Sequence, residues 1–344
     1  MKISICIPQY NRIHFLLKSL ALIEGQTYPN LEIVISDDAS ADETESEIRK
    51  LKESYRYPIV FHRFDKNQGY DRNYRKCIEL ASGAYCLTLG NDDSLNMPEA
   101  IEHLVEFLGK NDFPEIGFCN FVEENNPGEV VKRASTSQVL GTGPQISLRH
   151  YSCFSFCGGL IFKKSMFDQF NTSKYDGSIY SQIALGCAMV CSGNRLFSIN
   201  EPLVLKDIYF DGKFRHSYRD RIARKWRDFR IVDGGLKSVI NVLYTVLKDT
   251  GTLTPSLLYN VFGKIYKNTL PFWILDYKYN HALPEACGIF LGLKPWKVNH
   301  FNHLTIWGKI RILFIYLTFA ACAFAVPSAL FYRYKNQIYS WVKK

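Results

Sequence analysis

The amino-acid sequence predicts an α/β fold over residues 1–210, a mostly parallel sheet with helices on both faces, followed by a basic, aromatic, helical region over 211–344. Three observations predict it. Short apolar runs alternate with stretches whose apolar residues recur at helical spacing. Each apolar run ends in a polar cluster. Residues 312–332 form a 21-residue stretch without a charge. The chain has 344 residues, 47% of them hydrophobic, which excludes a mostly disordered protein.

Ile3–Ile7 reads as a buried strand stopped by Pro8. Asn11 is placed to cap a helix over 12–24, where Phe15, Leu16, Leu20 and Ile23 share a face. Leu31–Ser36 is a second strand, ending in Asp37-Asp38-Ala39-Ser40. A helix with an acidic face runs from Ser40 or Asp42 to about Tyr55, and Ile59–Phe64 is a third strand. Asn67-Gln68-Gly69 leads into a helix to about Ala81, and Ala84–Leu89 is a fourth strand running into Gly90-Asn91-Asp92-Asp93. Such βα repeats build parallel sheets, and ligands gather at the carboxyl ends of the strands. No G-x-G-x-x-G follows the first strand and no P-loop motif occurs, which argues against dinucleotide-binding and P-loop enzymes. The opening residues lack the pattern of a secretory signal.

Two acidic loops facing one crevice repel each other unless positive charge lies between them. A hard divalent cation, Mg²⁺ or Mn²⁺, suits carboxylate oxygen and brings phosphates and waters as further ligands. Asp92 and Asp93 follow a buried strand that holds them rigidly, and an Asp-Asp cap of the next helix is the alternative use of the pair.

Several segments resemble the family 2 glycosyltransferases: Ser4-Ile5-Cys6-Ile7-Pro8-Gln9-Tyr10-Asn11-Arg12, Gln26–Val34, Ser36–Asp42, Asn67-Gln68-Gly69, Ala81–Tyr85, and Leu89-Gly90-Asn91-Asp92-Asp93 in the place of the D-x-D motif. The resemblance implies a GT-A, Rossmann-like fold, with a nucleotide-sugar half over about 1–125 and an acceptor half over 126–210. It implies sugar transfer from a nucleotide-sugar donor. Pro8, Tyr10 and Asn11 match the loop bordering the nucleotide. Asp38 matches the carboxylate that reads base or ribose, and Asp92 the last Asp of D-x-D, the one the resemblance implies as the ligand of Mg²⁺ or Mn²⁺, with Asn91 beside it. Gly90 departs from the pattern, standing where the first Asp usually lies. Arg72 and Asn73 match donor-facing positions. Cys157–Lys164 resembles a Gly-rich acceptor segment. The Glu-Asp pair expected downstream is missing, and Asp176 lies nearest the place of the catalytic base.

Charge divides the chain. Residues 1–200 carry 20 basic and 24 acidic side chains, residues 201–344 carry 22 and 9. The surrounding aromatic and apolar residues favour an anionic membrane surface over nucleic acid as the partner of the basic part. Residues 213–230 hold eight Lys or Arg with Tyr218, Ile222, Trp226 and Phe229 at helical spacing. The 312–332 segment is long enough to cross a bilayer, or to lie in its plane. The expected function is an inverting, metal-dependent glycosyltransferase acting on a lipid-linked saccharide at the cytoplasmic face of the membrane, in surface polysaccharide assembly. The alternatives are a metal-dependent nucleotidyltransferase and an inactive sugar- or lipid-binding scaffold.

Overall fold

The structure, a computed structural model, describes residues 1–209 and 230–343. These fall into two compact units, Met1–Ile146 with 153–209, and Ser147–Ser152 with 230–343.

Among its described residues the first unit carries one ten-stranded sheet. Its opening half follows the expected alternation: β1 (Ile3–Gln9), α1 (Ile13–Glu24), β2 (Leu31–Asp37), α2 (Thr44–Leu51), β3 (Ile59–Arg63), α3 (Tyr70–Glu79) and β4 (Tyr85–Thr88). β1 pairs in parallel with β2 on one side and β4 on the other, and β2 pairs with β3, so the order is β3-β2-β1-β4. Ile3, Ile5, Ile33, Ile35 and Leu87 are fully buried, as strands covered on both faces require. Next come β5 (Ser94–Leu95), α4 (Ala100–Lys110), β6 (Ile116–Glu123), β7 (Asn126–Val131), β8 (Gln138–Gly141), α5 (Pro144–His150), β9 (Leu160–Lys163), α6 (Lys164–Phe170), α7 (Ser181–Cys191) and β10 (Leu196–Lys206). Beyond β4 the sheet is mixed rather than mostly parallel. β9 lies antiparallel between β4 and β6, and β5, β7 and β8 also pair antiparallel, while β6 and β10 pair in parallel. The short turn between β6 and β7 permits nothing but an antiparallel return.

Two local features differ from simple pattern reading. Asn11 does not cap α1: Asn11 and Arg12 both take left-handed φ values, 52° and 66°, and the helix starts at Ile13. Its first N–H donates instead to Asp42 Oδ2 at 2.9 Å, a cap from a distant loop. Pro8 sits inside a central strand, where its missing N–H is normally costly. Residues of its parity face β4, since Cys6 O accepts from Leu89 N, and β4 ends opposite Cys6 at Thr88, so no ladder partner is lost.

Glu32 shows how the parallel half is fastened at its other end. It accepts from Ser4 Oγ at 2.6 Å, from Ser82 N at 2.6 Å and Ser82 Oγ at 2.8 Å, and pairs with Lys2 at 2.6 Å. Burial alone would raise its pKa, but these partners outweigh burial and bring it down to about 2. A depressed carboxylate gives stability that is present above its unfolded value and lost as pH falls towards 2. Glu32→Gln is therefore expected to cost roughly 1–2 kcal/mol at neutral pH, since solvent at Lys2 screens part of the interaction. Urea unfolding at a series of pH values should show the gap to wild type closing below about pH 4.

The second unit is helical: α8 (Arg230–Asp249), α9 (Pro255–Lys264), a π-helical turn (Ile265–Thr269), α10 (Leu270–Tyr279), α11 (Leu283–Gly292), α12 (Ile306–Ala325) and α13 (Ser328–Lys343). The π turn joins α9 and α10 into one continuous rod. Its buried Tyr266 donates to Leu293 O at 2.7 Å and meets Tyr316 of α12 edge-on. The ring of Tyr316 stacks on Phe290 at 4.8 Å and its hydroxyl donates to Phe290 O at 2.7 Å. Residues 312–332 are not one helix. The chain breaks at Val326-Pro327, and Lys278 Nζ donates to the carbonyls of Ala323 (3.0 Å), Phe324 (2.5 Å) and Val326 (2.7 Å) that end α12. The basic stripe expected at 213–230 lies, but for Arg230, outside the described residues.

Candidate active site at the ends of β1 and β4

Strand order reverses at β1: β2 and β3 follow it on one side and β4 lies on the other. The connections leaving β1 and β4 diverge, which opens a crevice at the carboxyl ends of these strands. Arg12, just past β1, and Asp92, just past β4, meet there with Nη1 and Oδ2 2.5 Å apart. Their side chains are 21% and 17% exposed, open enough to meet a ligand. The left-handed turn at Asn11-Arg12 is what brings the guanidinium round to Asp92.

Gln9 holds these loops. It is fully buried; its Nε2 donates to Asn11 O at 2.5 Å and to Thr44 Oγ1 at 2.9 Å, and its Oε1 accepts from Asn91 Nδ2 at 2.8 Å. Its backbone carbonyl accepts from Asp38 N at 2.9 Å and Asn73 Nδ2 at 3.0 Å. One side chain and one carbonyl thus gather Asn11, Asn91, Asp38 and Asn73. Tyr10 lies exposed beside them and Pro8 is half-buried within β1.

Asp93 is buried and folds back, accepting from Gly90 N at 3.0 Å and Asp207 N at 3.2 Å. This accounts for the departure at Gly90. A Cβ there would stand 2.7 Å from Asp93 Oδ2 and 3.1 Å from Asp92 Oδ1, so the Asp93 carboxylate occupies the space a side chain would need. The same carboxylate lies 2.7 Å from where a Cβ on Gly158 would be, which keeps the Cys157-Gly158-Gly159 turn close. Gly159 N donates to Thr88 O at 2.8 Å, and Arg133, buried, donates to Gly158 O at 2.8 Å and Cys119 O at 2.8 Å. Asp207 pairs with Lys206, which also meets Glu123 at 3.4 Å.

Burial raises the pKa of Asp92. The Arg12 guanidinium opposes that and the charge of Asp207 adds to it. Burial also raises Asp93, reinforced by the charges of Asp92 and Asp207 and opposed by Lys206. Both shifts mark crowded carboxyl groups whose ionised forms an arriving cation would favour. Among the described residues no three His, Cys, Asp or Glu side chains are grouped to hold a metal ion. The donor set fits a divalent cation that arrives with a diphosphate, with Asp92 giving a carboxylate oxygen and phosphates and waters the rest. It does not fit a metal ion caged by protein alone.

The remaining expected site residues divide. Asp38 is buried, and its two oxygens accept from Gln68 N at 2.6 Å and Gly69 N at 3.0 Å, fastening that loop to the end of β2; burial raises its pKa and these two bonds oppose it. Asn73 is also buried, and its Oδ1 has no partner among the described residues. Arg72 is not drawn into the crevice network. It pairs with Glu79 at 2.7 Å and lies over the Phe64 ring. Asp176 is held by Arg75 in a two-pronged fork, Nε–Oδ1 2.9 Å and Nη2–Oδ2 2.6 Å, the geometry of an anchor rather than of a free base. Gln9, Arg12 and Asp207 received no role from sequence reasoning. A buried Gln at a strand end was a usable signal for the first, whereas Asp207 lies more than a hundred residues from the motif it joins.

Residues 4–170, just under half of the chain, match the family described as Glycosyl transferase family 2, so this part of the chain carries a domain of that family. Its architecture is similar to that of residues 1–349 of TarS from S. aureus, crystallised with UDP, with a TM-score of 0.53 and 14% identity over 93% of this chain and 90% of that one. That likeness is one of fold, the GT-A fold expected from the sequence. The abequosyltransferase RfbV of Salmonella typhimurium is 33% identical over 222 residues, covering 60% of this chain and 66% of that protein. The GalNAc(5)-diNAcBac-PP-undecaprenol beta-1,3-glucosyltransferase of Campylobacter jejuni is 28% identical over 178 residues, covering 51% of this chain and 56% of that protein. The chain thus spans between half and two thirds of the length of these curated relatives.

Proposed function

We propose that this chain transfers a sugar from a nucleoside-diphosphate donor to a hydroxyl of a lipid-linked saccharide, with inversion at the anomeric carbon, at the cytoplasmic face of the membrane in bacterial surface polysaccharide assembly. The observation that carries this reading is the Arg12–Asp92 pair at the switch point between β1 and β4. In this reading Pro8, Tyr10, Asn11 and Asn91 border the nucleotide. Asp38 holds the 67–69 loop against the nucleoside, and the unpartnered Oδ1 of Asn73 accepts a hydrogen bond from the donor. Arg12 is a fixed positive charge beside the diphosphate. Mg²⁺ or Mn²⁺ at Asp92 would offset the charge on the departing nucleoside diphosphate. The acceptor hydroxyl attacks the anomeric carbon from the face opposite the diphosphate, the bond to the diphosphate oxygen breaks, and a carboxylate takes the hydroxyl proton. The Campylobacter relative, named for an undecaprenol-diphosphate-linked saccharide, supports a lipid-linked acceptor.

The test is incubation of the full chain with a panel of nucleotide sugars and Mg²⁺ or Mn²⁺. Release of free nucleoside diphosphate, lost in excess chelator, is the expected result. A product carrying a nucleoside monophosphate would establish nucleotidyl transfer instead. Saturable binding without turnover on any donor or lipid-linked acceptor would establish a scaffold.

A further inference from the structure

We propose that the second unit is a monotopic membrane anchor, in which α12 lies in the plane of an anionic bilayer surface and does not cross it. The inference rests on the membrane-facing reading of the acceptor given above and adds the geometry of attachment.

α12 is apolar on nearly every side, its charged residues being Lys309 and Arg311 in the first two turns. One stripe, from Gly308 through Ile312, Tyr316 and Ala320 to Ala323, is buried within the second unit along the whole helix. The opposite stripe is equally apolar and bare: Trp307 is 72% exposed, Phe314 70%, and Ile310 and Leu317 more than half. A soluble helix of this kind has a polar outer face. Trp296, exposed on the short turn 295–297 that packs beside α12, extends the patch with a second indole, the side chain enriched at membrane–water interfaces.

Charge names the occupant. From residue 286 to the end the sequence has no Asp or Glu but eight Lys or Arg, of which Lys297, Arg311 and Arg333 are exposed. A second protein copy would bring the same positive charge to the contact, whereas anionic lipid headgroups neutralise it.

Length alone would allow α12 to span a bilayer. Its packing opposes that. The buried stripe rests on the continuous rod formed by α9, the π turn and α10, which would follow α12 into the hydrocarbon with Lys264, Lys267, Asp276 and Lys278. Lys278 is committed to the carbonyls that end α12, and Asp276 pairs with Lys335 of α13 at 2.9 Å. In the plane of the surface the rod stays above the lipid and the bare stripe enters it.

The test uses the full-length chain and vesicles of phosphatidylethanolamine with phosphatidylglycerol, compared with phosphatidylcholine alone. Cys287 and Cys322 are the exposed cysteines, so a Cys287→Ser, Cys322→Ser background carrying Phe314→Cys takes a fluorophore at mid-helix, and one carrying Trp307→Cys takes it near the start. Lipids spin-labelled near the headgroup or near the chain end report depth. An in-plane helix gives stronger quenching by the shallow label at both positions. It also predicts salt-sensitive binding to the anionic vesicles, and partitioning weakened roughly tenfold or more by Phe314→Glu with Leu317→Glu. Donor hydrolysis should stay unchanged in that variant. Binding with mid-helix quenching dominated by the deep label would overturn the in-plane geometry and leave the membrane reading standing. Failure of the unlabelled chain to bind either vesicle would overturn both.

Discussion

Asp92→Ala is expected to lower turnover by about 10³-fold or more while leaving the fold in place. The expectation follows from where charge develops. In the proposed reaction the leaving nucleoside diphosphate gains negative charge as its bond to the sugar breaks, and Asp92, more open than Asp93 or Asp207, lies beside Arg12. The cost to the fold is small for a separate reason. Burial disfavours the Asp92 carboxylate more than Arg12 favours it, so its removal takes little from stability. The backbone carbonyl of Asp92, which accepts from Ile208 N at 2.8 Å, survives the substitution. Asp92→Asn separates charge from shape, since it keeps a hydrogen-bond acceptor for Arg12 and loses the charge, and should be nearly as inactive. Initial rates of nucleoside diphosphate release, set beside melting curves, make the comparison. Activity within tenfold of wild type in both variants would remove Asp92 from the chemistry.

The parts of the molecule legible in the sequence are those whose causes are local. β1 to β4 were readable because each is a continuous apolar run closed by a polar cluster, and burial on both faces demands that pattern. The position of Asp92 just past β4 was readable because its motif closes such a run. The start of α1 was misread because the left-handed pair Asn11-Arg12 suits a contact with Asp92, eighty residues on, and the cap comes from Asp42. Gln9 went without a role because the segments it ties are separate in sequence. The mixed half of the sheet was not legible because strand pairing is settled by partners far along the chain. Residues 312–332 looked like one segment because they lack charge, and the break at Pro327 is fixed by a lysine on another helix. Asp176 is nearest the place expected for the base after a glycine-rich segment, and the partner that holds it, Arg75, lies 101 residues earlier in the chain.

That partner gives the second large effect. Arg75→Ala is expected to cost roughly 2–3 kcal/mol of stability, because it removes a buried guanidinium together with its fork to Asp176 and leaves Asn171 Oδ1 short of a donor. Arg75 is buried, and besides Asp176 it meets Asn171 Oδ1 at 2.8 Å and Glu79 at 3.3 Å. One turn earlier on α3, the buried Asp71 accepts from Ile179 N at 2.7 Å and Ser181 N at 3.0 Å. Together the two residues pin the 176–181 loop, including Ile179, a β-branched residue held at φ 61°. Asp176→Asn keeps the shape and one acceptor and leaves Arg75 its other two partners, so it should cost only about 1–2 kcal/mol. The two roles for Asp176 then give opposite readouts. As an anchor, Asp176→Asn lowers the unfolding midpoint and changes turnover by less than about tenfold, while Arg75→Ala does the greater damage to stability. As the catalytic base, Asp176→Asn lowers turnover by about 10²–10⁴-fold with the midpoint nearly unmoved. Urea unfolding and donor-to-acceptor transfer rates on the same preparations decide between them, and the fork with Arg75 predicts the first result.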